Sequence, residues 1–252
     1  MYKIPANTLF LGKNLVFVPE CHSTNDLALQ LSQKPETPEG TVVITNHQTA
    51  GRGQRGNTWH AAPGMNLTFS VIVKPAFLAL KDQFYLNMVT SLAVRDLLKN
   101  NIDSNIEVKW PNDVLINGKK VCGILVENQI HGSRFTNSVI GIGLNINQEE
   151  FALPTATSLA LIRGQKVDLA GTLEILLANL ESRYLQLRQQ KLTLLKDDYL
   201  RALYWRNELH TFSSHDKTFE GVIRNVDDIG RLQVETDEGL RVFDLKEISY
   251  IR

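Results

Sequence analysis

The chain has 252 residues, 43% hydrophobic and 21% charged, with 27 Lys+Arg against 27 Asp+Glu and a formal net charge of zero. That balance gives no long-range attraction for nucleic acid or anionic lipid, so any phosphate binding must be local. Cys21 and Cys122 lack CxxC or paired spacing, which excludes a disulfide framework or zinc site, and no apolar run approaches the ~18–20 residues needed to span a membrane. The first twenty residues have no apolar h-region or small-residue cleavage site, so the expectation is a soluble, cytoplasmic protein.

In chain order, residues 15–18 and 41–46 read as short buried strands. Between them Ser23, Thr24 and Asn25 stand where a helix cap belongs. Residues 67–73 are strand-like, and 82–100 form an amphipathic helix with Leu86, Val89, Ala93 and Leu97 at helical spacing. Residues 106–127 predict a strand, an extended turn at Pro111, a strand, a tight Asn117-Gly118 hairpin and a third strand. Another strand follows at 138–147, then helices at 172–190 and about 193–205. From about residue 207 the pattern becomes short strands with turn signals at 228–230 and 237–239, about five strands in a small barrel or sandwich. The expected division is 1–206 and 207–252.

Several segments carry chemistry. Residues 51–56, Gly-Arg-Gly-Gln-Arg-Gly, combine backbone freedom with two forked cations, and Trp59 follows with a flat apolar face. Read alone, this also fits a surface loop with its arginines in water. In Lys109-Trp110-Pro111-Asn112-Asp113 a cation, an amide and a carboxylate project from an irregular strand connection, which suits phosphate, Mg²⁺ and a proton acceptor, or an ordinary Asx turn. Lys120 precedes an apolar strand, either snorkelling at its edge or held over a pocket. Gly141-Ile142-Gly143-Leu144-Asn145 brings bare backbone close to something but lacks the third glycine of a dinucleotide fingerprint. His22, His47, His60, His131, His210 and His215 have no metal-ligand spacing, and Cys122 sits mid-strand as a core residue rather than a nucleophile.

The order of these segments closely resembles the biotin protein ligases across essentially the whole chain. The elements are Ser23-Thr24-Asn25, GRGQRGNTW at 51–59, KWPNDVLINGKKVCGILVE at 109–127 and GIGLNIN at 141–147, followed by the small β domain. The resemblance implies an α+β fold: a mixed-sheet catalytic domain flanked by helices, related to class II aminoacyl-tRNA synthetases, and an SH3-like C-terminal β-barrel. It also implies that Mg·ATP and biotin give biotinyl-5′-AMP, and that a lysine of a biotin carboxyl carrier protein then takes the biotinyl group.

On that pattern Lys120, Arg52, Asp113 and Lys109 would be catalytic. Ser23, Thr24, Asn25, Gln48, Gly51, Arg52, Gly53, Lys120, Gly123 and Gly143 would bind biotin. Arg52, Arg55, Trp59, Lys109, Asn112 and Asn145 would bind ATP, with Trp59 stacked on adenine. No dedicated metal site is implied, since Mg²⁺ would ride on the ATP phosphates with help from Asn112. Gln54 departs from the arginine many family members carry there. With only 22 residues before Ser23, a winged-helix domain is not expected, nor is DNA binding; the expected assembly is a monomer or homodimer. The alternatives are a lipoate or octanoate transferase of the same fold, whose Arg-Arg-x-x-Gly-Gly-Gly pattern is absent, and a non-catalytic biotin or nucleotide sensor.

Overall fold

The computed structural model describes residues 2–251, apart from the side chain of Arg55. The elements in order are β1 (Leu15–Cys21), α1 (Thr24–Ser32), β2 (Val42–Gln48), β3 (Leu67–Val73), α2 (Tyr85–Lys99), β4 (Ile106–Lys109), β5 (Asp113–Ile116), β6 (Lys119–His131) and β7 (Arg134–Leu144). They are followed by α3 (Leu159–Arg163), α4 (Leu169–Arg188) and α5 (Leu192–Ala202), then β8 (Leu209–Ser214), β9 (Lys217–Val226), β10 (Leu232–Thr236), β11 (Gly239–Phe243) and β12 (Ser249–Tyr250).

Strands β1 to β7 form one seven-stranded sheet in the order β1-β2-β3-β7-β6-β5-β4. It is mixed: β1 runs parallel to β2, and the other neighbours are antiparallel. The last five strands form a separate antiparallel sheet, β11-β10-β9-β8-β12. The architecture is therefore the expected α+β type, a mixed sheet with helices and a small C-terminal β unit.

Side-chain alternation sorts the large sheet into two faces. Val42, Ile44, Phe69, Val71 and Val73 point into the main core, where α2, α4 and α5 also bury their apolar stripes. Val43, Ile72 and Val139 point the other way and pack beneath Ala28 of α1. By the same alternation this second face receives Thr68 and Ser70 from β3, Gly141 and Gly143 from β7, and Gly123, Leu125 and Glu127 from β6. The register lines them up as Thr68–Gly143–Gly123–Asp113 in one row and Ser70–Gly141–Leu125 in the next. Helix α1 is short and covers only the Ile72–Val139 end. Beyond its N-terminus the face is open, and there the glycines lie.

Several local expectations changed. β1 continues through Pro19 instead of stopping at residue 18, because it is an edge strand, where a missing N–H is tolerated. Ser23 is the N-cap of α1, but its side chain makes no capping bond; the backbone begins the helix through Leu27 N–H to Ser23 O, and Thr24 and Asn25 are used elsewhere. Helix α3 was too short to register as a pattern, although Ser158 caps it through Leu161 N–H and Gly164 closes it at φ 67°. Helix α4 starts earlier than residue 172 because Asp168 accepts from Ala170 and Gly171 N–H. Asn117 and Gly118 do form the hairpin, at φ 49° and 75°.

The two sheets meet at the Lys109–Asp113 segment. Trp110 is buried and its indole N–H donates to Gly230 O at 2.9 Å. Lys109 Nζ lies 4.5 Å from the ring centroid of Tyr250, and Tyr204 N–H donates to Val108 O. The N-terminal segment is held by one buried side chain: Glu181 of α4 accepts from the backbone N–H groups of Leu9, Phe10 and Leu11 at 2.6, 2.8 and 2.9 Å. Glu181→Ala removes all three acceptor contacts at once. It is expected to lower unfolding stability on the order of 2–4 kcal/mol in denaturant titration.

Candidate active site

The open end of the α1 face is the floor of a cleft with a cavity volume of about 130 Å³. Its floor is Gly123, Gly141 and Gly143, and its walls are Thr24, Gln48, the 52–59 loop, Asn112, Asp113 and Lys120. These glycines serve close approach. A Cβ on Gly143 would lie 2.2 Å from Cε2 of Trp59, and one on Gly141 would lie 2.2 Å from Oδ1 of Asn25. Trp59 thus lies against the floor with its indole edge on Gly143, and its Nε1 is buried with no hydrogen-bond partner among the described residues.

The loop closes on itself. Gly53 N–H donates to Asn57 O, Trp59 N–H donates to Gly51 O, and residues 54–56 make a single 3-10 turn. Only Gly56 of its three glycines takes a positive φ, whereas Gly51 is pressed against Trp59 O and the Gln48 amide. From this loop Arg52 reaches Glu127 with both Nη atoms, at 3.0 and 2.6 Å, and Asp26 at 2.7 Å.

On the opposite wall Lys120 Nζ sits 2.7 Å from Asp113 Oδ1 and 5.7 Å from the Trp59 ring centroid. Its backbone is fixed on both sides, since Lys120 N–H donates to Thr155 O and Lys120 O accepts from Thr157 N–H. The side chain therefore leaves a stitched strand and is not a loose edge lysine. Asn112 gives Nδ2–H to Ile124 O at 2.7 Å and accepts Ile124 N–H at its own carbonyl, which ties the turn to β6. The cleft thus juxtaposes an ammonium, a carboxylate and a flat aromatic lying on a glycine floor, a set suited to holding an anion beside a planar ring.

A profile of the biotin/lipoate A/B protein ligase family matches residues 18–145, about half the chain and the whole of this cleft floor. The bifunctional ligase/repressor BirA of Bacillus subtilis is 34% identical over 242 residues, covering 93% of this chain and 73% of the relative. The biotin–[acetyl-CoA-carboxylase] ligase of Mycobacterium tuberculosis is 31% identical over 244 residues, covering 95% and 90%. The chain belongs to the biotin/lipoate A/B protein ligase family. Among solved structures, the biotin protein ligase of Aquifex aeolicus in complex with biotin and ATP superposes with a TM-score of 0.79 at 26% identity, over 95% of this chain and 99% of that one.

Of the residues expected from the ligase pattern, Thr24, Gln48, Arg52, Gly53, Trp59, Asn112, Asp113, Lys120, Gly123 and Gly143 gather around the one cleft. Ser23, Asn25 and Gly51 are not part of the cleft lining. Lys109 is turned toward Tyr250, away from the cleft lining. Asn145 is buried, gives Nδ2–H to Thr157 O, and leaves Oδ1 without a partner among the described residues. The Arg55 side chain lies outside the described residues. Cys122 is fully buried and its thiol is pushed well up from its usual pKa by that burial, which keeps it protonated and inert.

Three residues of the site escaped sequence reading. Gln48 Oε1 accepts from Thr24 N–H and lies 3.1 Å from its hydroxyl. Ser70 Oγ lies 2.7 Å from Thr24 Oγ1 and donates to Asn25 Oδ1 at 2.6 Å. Asn25 Nδ2–H then reaches Glu127 Oε2 at 2.8 Å. Ser70, Glu127 and Asp26 complete a polar chain from the Gln48 wall to the Arg52 loop. Strand alternation offered the signal: Glu127 is four residues beyond Gly123 and so shares its face.

Proposed function

We propose that this chain is an ATP-dependent biotin–protein ligase that forms biotinyl-5′-AMP and passes the biotinyl group to a lysine of a carboxylase carrier domain. The observation that carries the reading is the pairing of Lys120 with Asp113 at the rim of a glycine floor, facing Trp59. Biotin's carboxylate and the ATP phosphates repel each other, so a cation held between them is the first requirement of adenylation. Lys120 supplies it, and Asp113 orients the ammonium.

In the first step a biotin carboxylate oxygen bonds to the α-phosphorus and the bond to the bridging oxygen breaks, releasing pyrophosphate. In the second the carrier lysine amine attacks the acyl carbon, its proton is lost, and AMP leaves. Thr24 and Gln48 face biotin's polar end, and Gly123 and Gly143 leave the room in which the Trp59 indole lies on the sheet. Trp59 offers its ring to the adenine, and Asn145, the family's second adenine contact, keeps a buried Oδ1 without a partner among the described residues. Among the described residues no group of three His, Cys, Asp or Glu side chains is arranged to hold a metal ion, and Asp113 is the one carboxylate lining the cleft. That set fits Mg²⁺ arriving on the nucleotide and held mainly by phosphate oxygens. The catalytic unit runs to residue 206 and the C-terminal unit from 207, in a cytoplasmic enzyme acting as monomer or homodimer. Among the described residues no helix is long and apolar enough to cross a membrane.

The test is incubation of purified chain with Mg·ATP, a carrier domain and either biotin or lipoate. Biotin-dependent labelling of the carrier lysine is the expected result. ATP–pyrophosphate exchange stimulated by lipoate alone would move the chain to the other branch of its family, and binding without exchange would make it a sensor.

A further inference from the structure

Arg52 is the cation that the sequence marks most strongly in the lid loop, yet its charge is already committed. One guanidinium faces two carboxylates, with both Nη atoms on Glu127 and Nη2 also on Asp26. The three groups sum to one negative charge, so an incoming carboxylate or phosphate meets no net attraction there. Three of the five guanidinium donors are used in these contacts, in the fork geometry that fixes a loop. Glu127 does more than hold Arg52. Its Oε2 also accepts from Asn25, and through Ser70 and Thr24 that contact continues to Gln48 on the far wall. Gly141 leaves the space that Asn25 needs.

We propose that Glu127 is the positioning residue of the lid: it fastens Arg52 to β6, with Asp26 as second anchor, and ties lid closure to the Thr24–Gln48 wall that receives biotin's polar end. Arg52 is then a strut that keeps the loop over the cleft, and Lys120 remains the cation for the reacting anions. The proposal rests on the biotin ligase reading, and its effect falls on biotin rather than on ATP.

Glu127→Gln keeps the shape and removes the charge. The expected result is a rise of about tenfold or more in the biotin dissociation constant of the nucleotide-free enzyme and in biotin KM, with kcat within about threefold and ATP KM unchanged. Protease cutting at residues 51–58 should accelerate in the same variant. Arg52→Ala should show the same loss of biotin affinity and the same faster cutting, and the double variant should bind biotin no worse than the poorer single, because both remove one contact. Glu127→Asp, which keeps the charge one methylene short, should recover part of the loss; it also carries the same cycle with Arg52 if Glu127→Gln fails to fold. Biotin affinity of Glu127→Gln equal to wild type, or additive losses in the double variant, would overturn the proposal. Absence of biotin binding by the wild-type chain would instead sink the ligase reading itself.

Discussion

Lys120→Ala is expected to lower the rate of biotin-dependent pyrophosphate release by about 10³-fold or more while the fold survives. The size follows from what the ammonium does. Removing one preorganised donor from developing charge typically costs 10²–10³ in rate, and here the donor carries a full charge between two anionic reactants. Stability should change little, because Lys120 is 37% exposed and a partly solvated ion pair contributes little to folding. The strand itself stays stitched through Thr155 O and Thr157 N–H, which are backbone contacts that alanine keeps. Thermal unfolding near wild type, together with lost adenylation, is the pattern expected. Wild-type pyrophosphate release from a folded variant would remove Lys120 from the chemistry. Asp113→Asn is a useful companion, since it leaves the ammonium in place but unoriented and should give a smaller loss.

Gly143→Val should be nearly as severe by a different route. A Cβ at this position would meet the Trp59 indole at 2.2 Å, well inside van der Waals contact, and the valine methyls would reach further. Trp59 must leave the floor, and the floor is no longer flat. A displacement of about 1 Å in a reacting group can cost roughly 10²-fold, so at least that loss in adenylate formation is expected. Overpacking of a buried strand costs typically ~1–3 kcal/mol, but here the aromatic can swing out and reduce that figure. Combining Gly143→Val with Trp59→Ala separates the two effects. If the clash is what destabilises, thermal stability should return in the pair while adenylation stays low. Full activity in Gly143→Val alone would mean that adenylation does not need Trp59 on this part of the sheet.

How much of this was legible beforehand depended on what kind of signal each feature leaves. The 106–127 segment was read nearly as it stands because Pro111 and Asn117-Gly118 punctuate it with backbone constraints that act locally. Strand β3 was bounded by Lys74-Pro75 and came out at 67–73. Helix α3 escaped because five residues cannot establish a period. Ser23 to Asn25 were read as a cap from their residue types, whereas the structure spends Thr24 and Asn25 on a network reaching Ser70 and Glu127, forty-five and one hundred and two positions away. No local rule contains those separations. The glycines were read partly for the wrong reason. Conformational freedom was expected in the 51–56 loop, but only Gly56 takes a positive φ there, and the floor glycines are needed for absent side chains. Arg52 and Lys109 were recognised by charge, while their destinations, two carboxylates and an aromatic ring, were set by the tertiary fold.

The contact between Trp110 and Gly230 bears on how this chain could be divided. The KWPND signature belongs to the large sheet, but its indole N–H finds its acceptor on the turn between β9 and β10, and Lys109 finds its aromatic neighbour on β12. A polypeptide ending near residue 206 would hold every residue of the cleft and still expose a buried donor and a large apolar ring beside Asp113. The seam is therefore a natural place for a split reporter: two fragments, each incomplete at the same turn, with activity serving as the record of their meeting.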